Sequence, residues 1–362
     1  MKDQRKRILD LVEQGKLSAS EALTLIEKLE EEYSHKENEM LTSLSSDSFS
    51  KDPFVEKEKT AGSSLSSKLV TFIDTAVKKV KELDLDLNFG GALNVQHIYQ
   101  FKDADIRDFD IQLIHGSVNL QSWTQSDVRV ECDAKVYRAE NQELARETFM
   151  QNVDCSVDGS KFRFYTEKKT IKINMTLFVP EEQYELVKIK LFSGPIRGED
   201  LKVRDFNAKT ANGVISVLNF KGEKIETETA NGQIRLTNVE AAHIEAETIN
   251  GLIHLNGKSE RIDVQSFNGN IIVKLEDERC HTLYAKTATG NVDVYVPENV
   301  KINGELKSNL GSVAADLKDL EVLFEKNETI QKELRFKSIA AGEQTMSVFA
   351  DSKTGSILLK ER

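Results

Sequence analysis

The sequence predicts a mainly β protein: a parallel β-solenoid (β-helix) with an antiparallel β elaboration near its start and a small α-helical hairpin at its N-terminus. Three observations carry this. A phrase of the form Thr/Ser-x-Asn-Gly-x-Ile/Val-x-aliphatic recurs through the second half. Its glycines, Gly213, Gly232, Gly251, Gly269, Gly290 and Gly311, are 19, 19, 18, 21 and 21 residues apart. Each period holds two strand-like runs, and a fixed period near 20 marks a solenoid. Finally, 4 prolines and 7% aromatics in 362 residues suit regular β structure rather than disorder.

Residues 1–33 read as the helical hairpin. Ile8, Leu9, Leu11 and Val12 precede Gly15, a helix stop. Ser18 and Glu21 form a capping box, with Leu17 at the staple position. Ala22, Leu23, Ile26 and Leu29 continue at helical spacing. So short a unit buries little core alone, which favours self-association or docking on a partner. Residues 34–63, rich in Ser, Lys and Glu, read as a disordered linker.

Residues 64–88 read as an amphipathic helix leading into extended structure. Leu65, Leu69, Phe72, Ile73, Val77 and Val80 share one face, and Lys68, Lys78, Lys79 and Lys81 lie toward the other. Such a helix can cap the open end of a solenoid, or meet a partner or an anionic membrane surface. From about residue 92 the period changes to two. Residues 92–190 read as irregular β coils with antiparallel hairpins: a degenerate coil at Phe109–Leu120, a strand at Val128–Val136, a short helix at 141–150, an Asp158-Gly159 turn and a strand at Thr170–Val179. Residues 191–362 are the repeat array. The crossover rule for parallel strands favours a right-handed path.

Within one repeat, alternation puts Ile225, Thr227, Thr229 and Asn231 on one strand face, and Glu226 and Glu228 on the other. Stacked layers place like over like at about 4.8 Å. The aliphatic columns become core and the Asn column an amide ladder. Each glycine is expected to supply a backbone conformation closed to other residues. Glu226 then stacks near Glu245, Glu228 near Glu247, and Asp263 extends the first row. These five acids form an outward face that is either simply solvated or receives cations.

Chemistry is sparse. The six histidines show no HxxxH or HExxH spacing, and no GxSxG or Walker motif is present. Cys132, Cys155 and Cys280 show no CxxC and read as buried free thiols. No catalytic residue, metal site or cofactor is expected. A formal charge of −11 argues against nucleic-acid binding and permits cationic partners. The basic start lacks the apolar run of a signal peptide, and no stretch reaches the length of a membrane span. A cytoplasmic or membrane-associated protein is the expectation from these signals.

The T-x-N-G-x-I-x-L array resembles the bacterial β-strand-repeat domain named for adhesins. The segment Ile8–Leu23 resembles the helical hairpin ahead of that domain in YvlB-type and LiaX-type proteins of Gram-positive bacteria. The resemblance implies a non-enzymatic part in the cell-envelope stress response: binding cationic, membrane-active antimicrobial peptides and modulating an envelope-signalling protein, with cell-surface exposure in reach. Two alternatives stay open. One is a surface adhesin or structural scaffold that binds polysaccharide or self-assembles; the other is a β-helix carbohydrate-active enzyme.

Overall fold

The computed structural model describes residues 91–298, 300–328, 330–338 and 344–362. The expected hairpin (1–33), linker (34–63) and amphipathic segment (64–88) lie outside the described residues. Those described form a mainly β, solenoid-like stack of twenty strands in one continuous sheet, with a single helix.

The regular middle is built from long strands: β7 (Gln183–Ser193), β8 (Ile196–Asn212), β9 (Ile215–Asn231), β10 (Ile234–Asn250) and β11 (Ile253–Asn268). Each pairs in parallel with the next, so Ile196, Ile215, Ile234 and Ile253 align, as do Thr210, Thr229, Thr248 and Ser266. The aligned isoleucines are fully buried. Each such side chain contributes roughly 2–3 kcal/mol of burial, and the column repeats at every layer.

The glycines stack as well, for two reasons: Gly194 and Gly290 have φ of 137° and 154°, the conformation closed to other residues that was expected, and along the column the backbones also approach closely. A Cβ on Gly232 would lie 1.8 Å from the Gly213 carbonyl oxygen, and one on Gly251 1.8 Å from that of Gly232. Close approach of successive backbones excludes a side chain here. The left-handed turns fall at a second corner, on Asp200, Asn219 and Asn238, with φ of 56°, 54° and 53°. Their side chains form their own ladder: Asn219 Nδ2 donates to Asp200 Oδ1 at 2.8 Å, and Asn238 Nδ2 to Asn219 Oδ1 at 2.7 Å.

Both ends depart from chain order. β12 (Ile271–Leu275) and β13 (Thr282–Thr289) stack on β11, and β14 (Val292–Val296) stacks on β12. The next segment in the chain, β15 (Lys301–Ser308) with β16 (Val313–Asp316), does not follow. The last strands, β19 (Thr345–Ser352) and β20 (Ile357–Glu361), sit on β13 and β14, and β15 and β16 stack outside them. Gly311 therefore lies on Gly355, which lies on Gly290. The expected succession from the Gly290 copy to the Gly311 copy is corrected: the C-terminal turn of the chain fills the layer between. Parallel pairing rewards matched faces and register, and the repeat copies present equivalent edges, so adjacency in sequence does not fix adjacency in the stack.

At the other end, β2 (Asp108–Trp123) pairs in parallel with β7 and the start of β8. β5 (Lys161–Tyr165) and β6 (Ile171–Pro180) lie on the far side of β2. Antiparallel partners finish both ends. β4 (Asp154–Asp158) pairs β5, β3 (Val128–Tyr137) pairs β6, and β1 (Ala92–Phe101) pairs β3. β18 (Gln331–Ser338) pairs β15, and β17 (Leu320–Glu328) pairs β18. The helix α1 (Gln142–Asn152) is capped by Asn141, whose side chain accepts from the Leu144 N–H at 2.9 Å, and it buries Ala145 and Phe149. Cys132 and Cys280 are buried and Cys155 half-buried, all as free thiols. Burial pushes the Cys132 and Cys280 thiols up to about 12, which keeps them protonated and unreactive.

Candidate functional site

Three rows run along the stack over β8 to β11: a corner lane, whose Thr and Ser are buried, and on the outer face an acidic row and an apolar row. The corner lane comes first. Each Thr or Ser hydroxyl donates to the glycine carbonyl of the layer before: Thr229 to Gly213 at 3.0 Å, Thr248 to Gly232 at 3.0 Å and Ser266 to Gly251 at 3.0 Å. Beside it the asparagine amides link rung to rung. Asn231 Nδ2 donates to Asn212 Oδ1 at 3.0 Å, Asn250 to Asn231 at 2.9 Å and Asn268 to Asn250 at 2.9 Å. These residues are occupied in holding the scaffold.

The structure brings together all five predicted acids. Glu226 lies opposite Glu245, which lies opposite Asp263, and Glu228 lies opposite Glu247. The expectation of a solvated face needs correction, because Glu228 is only 5% exposed and Glu247 only 7%. The other three are half-buried. Ionised carboxylates about 5 Å apart at an effective dielectric near 20 repel by about 3 kcal/mol. A buried row of them therefore needs cations or protons.

Cations supply part of the answer. Lys209 Nζ lies 2.7 Å from Glu226 Oε1 and also bonds Glu228; Lys224 Nζ lies 3.2 Å from Glu226 and 3.5 Å from Glu245. His243 Nε2 is 2.7 Å from Glu245 Oε1, and Gln265 donates to Asp263 at 2.9 Å. Burial by itself raises the Glu226 and Glu245 carboxyls. Lys209 and Lys224 overcome it at Glu226, and His243 and Lys224 overcome it at Glu245, so both end below the ordinary range. Burial keeps Glu228 and Asp263 above it.

Glu247 stands apart. Burial first, and then the carboxylates of Glu228, Asp263, Glu245 and Glu226, push its carboxyl up to about 8. Among the described residues it has no hydrogen bond or ion pair. Nearby acceptors are also short of donors: Glu228 Oε2 and Asn207 Oδ1 are buried with no partner. One donor, Arg261 Nε, is likewise unpaired, with its guanidinium 5.9 Å from the Tyr284 ring. The arrangement can accept N–H donors and positive charge. It offers no nucleophile–base pair, and among the described residues no cluster of three or more His, Cys, Asp or Glu could hold a metal ion.

An apolar row lies between the corner and the acids. Phe192, Ala211, Ala230, Ile249, Phe267 and Ala288 occupy the variable position of the repeat phrase, directly before the Asn column or its equivalent. Ala211 and Ala230 are buried, and the four others are half-buried. Its signal was in the sequence, in the letters Ala, Ala, Ile, Phe and Ala at the x of Thr/Ser-x-Asn/Thr-Gly. The predicted membrane or partner face, Leu65, Leu69, Phe72, Ile73, Val77 and Val80, lies outside the described residues. Among those described, no helix is long and apolar enough to cross a membrane.

Comparison with known proteins gives the following. The Toastrack DUF4097 family matches residues 106–357, and a SHOCT-like domain matches residues 3–34. A Bacillus subtilis protein, YvlB, described only as uncharacterised, is 54% identical over 362 residues, covering 99% of each chain. Among solved structures, a candidate adhesin of Bacteroides fragilis aligns with 73% of this chain and 96% of its own, at 11% identity and a TM-score of 0.39. A candidate lipid-binding protein of Parabacteroides distasonis aligns with 72% of this chain and 96% of its own, at 10% identity and a TM-score of 0.33.

Proposed function

This chain belongs to the Toastrack DUF4097 family, and from that premise we propose that it is a non-enzymatic binding scaffold whose acidic outer lane receives a cationic peptide. The observation that carries the reading is the carboxylate lane of Glu226, Glu228, Glu245, Glu247 and Asp263, two of its members nearly buried and one with no cation beside it. A ligand bearing Lys or Arg would supply the missing donors and relieve the repulsion between stacked acids. In the setting implied by the YvlB-type and LiaX-type resemblance, the ligand is a membrane-active antimicrobial peptide, and the bound state is read by an envelope-signalling partner.

The test is direct binding of a lysine-rich peptide to the full chain and to a variant carrying Glu226→Gln, Glu228→Gln, Glu245→Gln and Glu247→Gln. Loss of affinity of at least about tenfold in the variant, and weakening by salt in the parent, is expected. Equal binding by both proteins sinks the acidic-lane reading.

A second reading, a self-assembling scaffold, is favoured by one observation. Val322, Leu323 and Phe324 on β17 are 47%, 53% and 46% exposed, on a strand that among the described residues pairs only with β18. Open apolar edges of this kind template strand pairing between copies. A monomer at every concentration in analytical ultracentrifugation would remove it.

A further inference from the structure

Resting on the self-assembly reading above, we infer that β17 is the docking surface for a second copy of this chain. Two β17 strands pair antiparallel about a two-fold axis between Leu323 and Phe324, which closes a dimer. Three observations lead there.

The first is a comparison of edges. Among the described residues, β1, β4, β16 and β17 pair on one side only. All but β17 carry devices that keep sheet edges from pairing. β4 is five residues long and exposes Asp154 and Asp158. β16 is four residues long, and Lys360 lies 3.1 Å from its Asp316. β1 exposes Asn94, Gln96 and Gln100, and Gln142 Nε2 already donates to the Asn94 carbonyl at 2.6 Å. β17 is nine residues long, and its run from Glu321 to Glu325 is exposed without interruption, with Val322, Leu323 and Phe324 at the centre.

The second is a bulge. Val322 lies opposite Phe336, and Phe324 opposite Arg335, so Leu323 is an extra residue. Val322 therefore shares the face of the buried Phe336, and Phe324 shares that of Arg335, whose guanidinium lies 5.8 Å from its ring. A regular strand laid on this edge would match its faces on one side of Leu323 and fall out of step on the other. A second β17, turned by a two-fold, carries the same slip at the same place. This selects a copy of the chain over a foreign extended peptide.

The third is charge. An axis between Leu323 and Phe324 sets Leu323 of each copy against Phe324 of the other, and Glu321 against Lys326, twice over by symmetry. Opposite charges across strands favour the pair. An axis on Leu323 itself would oppose Glu321 to Glu325, and one on Phe324 would set Lys326 against Val322. Lys326 now lies 3.4 Å from Glu328, whose side chain is 63% exposed, and so open an ion pair yields readily. Because the axis relates β17 to itself, both copies use up the same edge and growth stops at two. Pairing β17 with β1 would leave one of each free and build a filament.

The experiment is sedimentation equilibrium of the full chain over a wide concentration range. A single monomer–dimer equilibrium is expected, with nothing larger. Leu323→Lys with Phe324→Lys should raise the dimer dissociation constant at least about tenfold. Far-UV circular dichroism should stay unchanged, because both side chains are exposed. Glu321→Lys alone places lysine opposite lysine at both ends and should weaken the dimer roughly fivefold. Adding Lys326→Glu should restore it.

Growth into species larger than a dimer would overturn the closed two-fold and leave the self-assembly reading standing. A dimer indifferent to lysines at 323 and 324 would do the same, placing self-association elsewhere in the chain. A dimer that the charge exchange fails to restore would overturn the axis between Leu323 and Phe324. A monomer at every concentration would remove both the proposal and the reading on which it rests.

Discussion

The corner lane of Asn212, Asn231, Asn250 and Asn268 and the acidic lane of Glu228 and Glu247 stand on the same strands and obey the same stacking. An amide carries a donor and an acceptor, so a column of amides satisfies itself, each Nδ2 bonding the Oδ1 of the layer before. A carboxylate only accepts. Stacked in the same way, Glu228 keeps one oxygen without a donor although Lys209 bonds the other, and Glu247 has no cation beside it and is held protonated up to about pH 8. Regular repetition amplifies whatever one residue does. In the corner it yields a rigid support, and a short distance along the strand it yields a demand for cations that the resident Lys209 and Lys224 meet only in part. The lane that cannot satisfy itself is the better candidate for recognition.

The largest way to break this comparison is to remove the support on which both lanes stand. Gly232→Val would set a side chain 1.8 Å from the Gly213 carbonyl oxygen. Neither backbone can yield without opening the layer, so a loss of at least about 4 kcal/mol is expected in denaturant titration. Gly159→Ala provides the contrast. Its φ is +56° and nothing lies within 4 Å of the added Cβ, so only backbone strain of about 1 kcal/mol is expected. Similar losses at the two sites would mean that close approach is not what selects glycine in the column.

The next effect has the opposite sign. Glu247→Gln places an amide in the acidic lane. The folded carboxyl titrates at about 8, above its ordinary value of 4.5. Between those values the folded chain holds a proton that the unfolded chain has released, so this group's contribution to stability falls as pH rises across the window. The Gln side chain has no proton to lose. The variant should therefore gain on the order of a few kcal/mol over the parent at pH 9 and converge on it by pH 5. Melting curves across that range check this, and parallel pH profiles for the two proteins would show that Glu247 is not held protonated.

How far these lanes were legible in the sequence follows from the same distinction. Thr-x-Asn-Gly recurs as a phrase because each of its letters bonds or clears the copy of itself one layer away, so the corner was readable from spacing alone. The pairing of Glu226 with Glu245 followed from the same period. Their burial did not, because alternation tells which way a side chain points and not how far its neighbours close over it. The apolar row was written at the variable letter, where Ala, Ile and Phe look like noise until the layers are laid on one another. Layer order was the least legible. Ser352-Lys-Thr-Gly355 is a copy like the others, and nothing in it says that it stacks between Gly290 and Gly311. The choice belongs to the edges that remain unpaired, not to the phrase.

The smallest effect carries the comparison in reverse, by placing a carboxylate in the amide lane. Asn250 donates to Asn231 at 2.9 Å and accepts from Asn268 at 2.9 Å. Asn250→Asp keeps the acceptor and loses the donor, leaving Asn231 Oδ1 to water. The site is exposed, so water replaces much of the lost bond and the cost should be near 1 kcal/mol. The bond from Asn268 becomes charge-assisted once the new carboxylate ionises, and recovers part of that. At pH 3 the protonated carboxyl regains an O–H that can donate to Asn231 Oδ1, so the variant should lie closer to the parent at pH 3 than at pH 7, where the ionised side chain only accepts. A change of several kcal/mol would mean that the ladder is a main support of the stack. No change at either pH would mean that the amides are ordered by the corner and contribute nothing to holding it, and the contrast between the two lanes would then rest on charge alone.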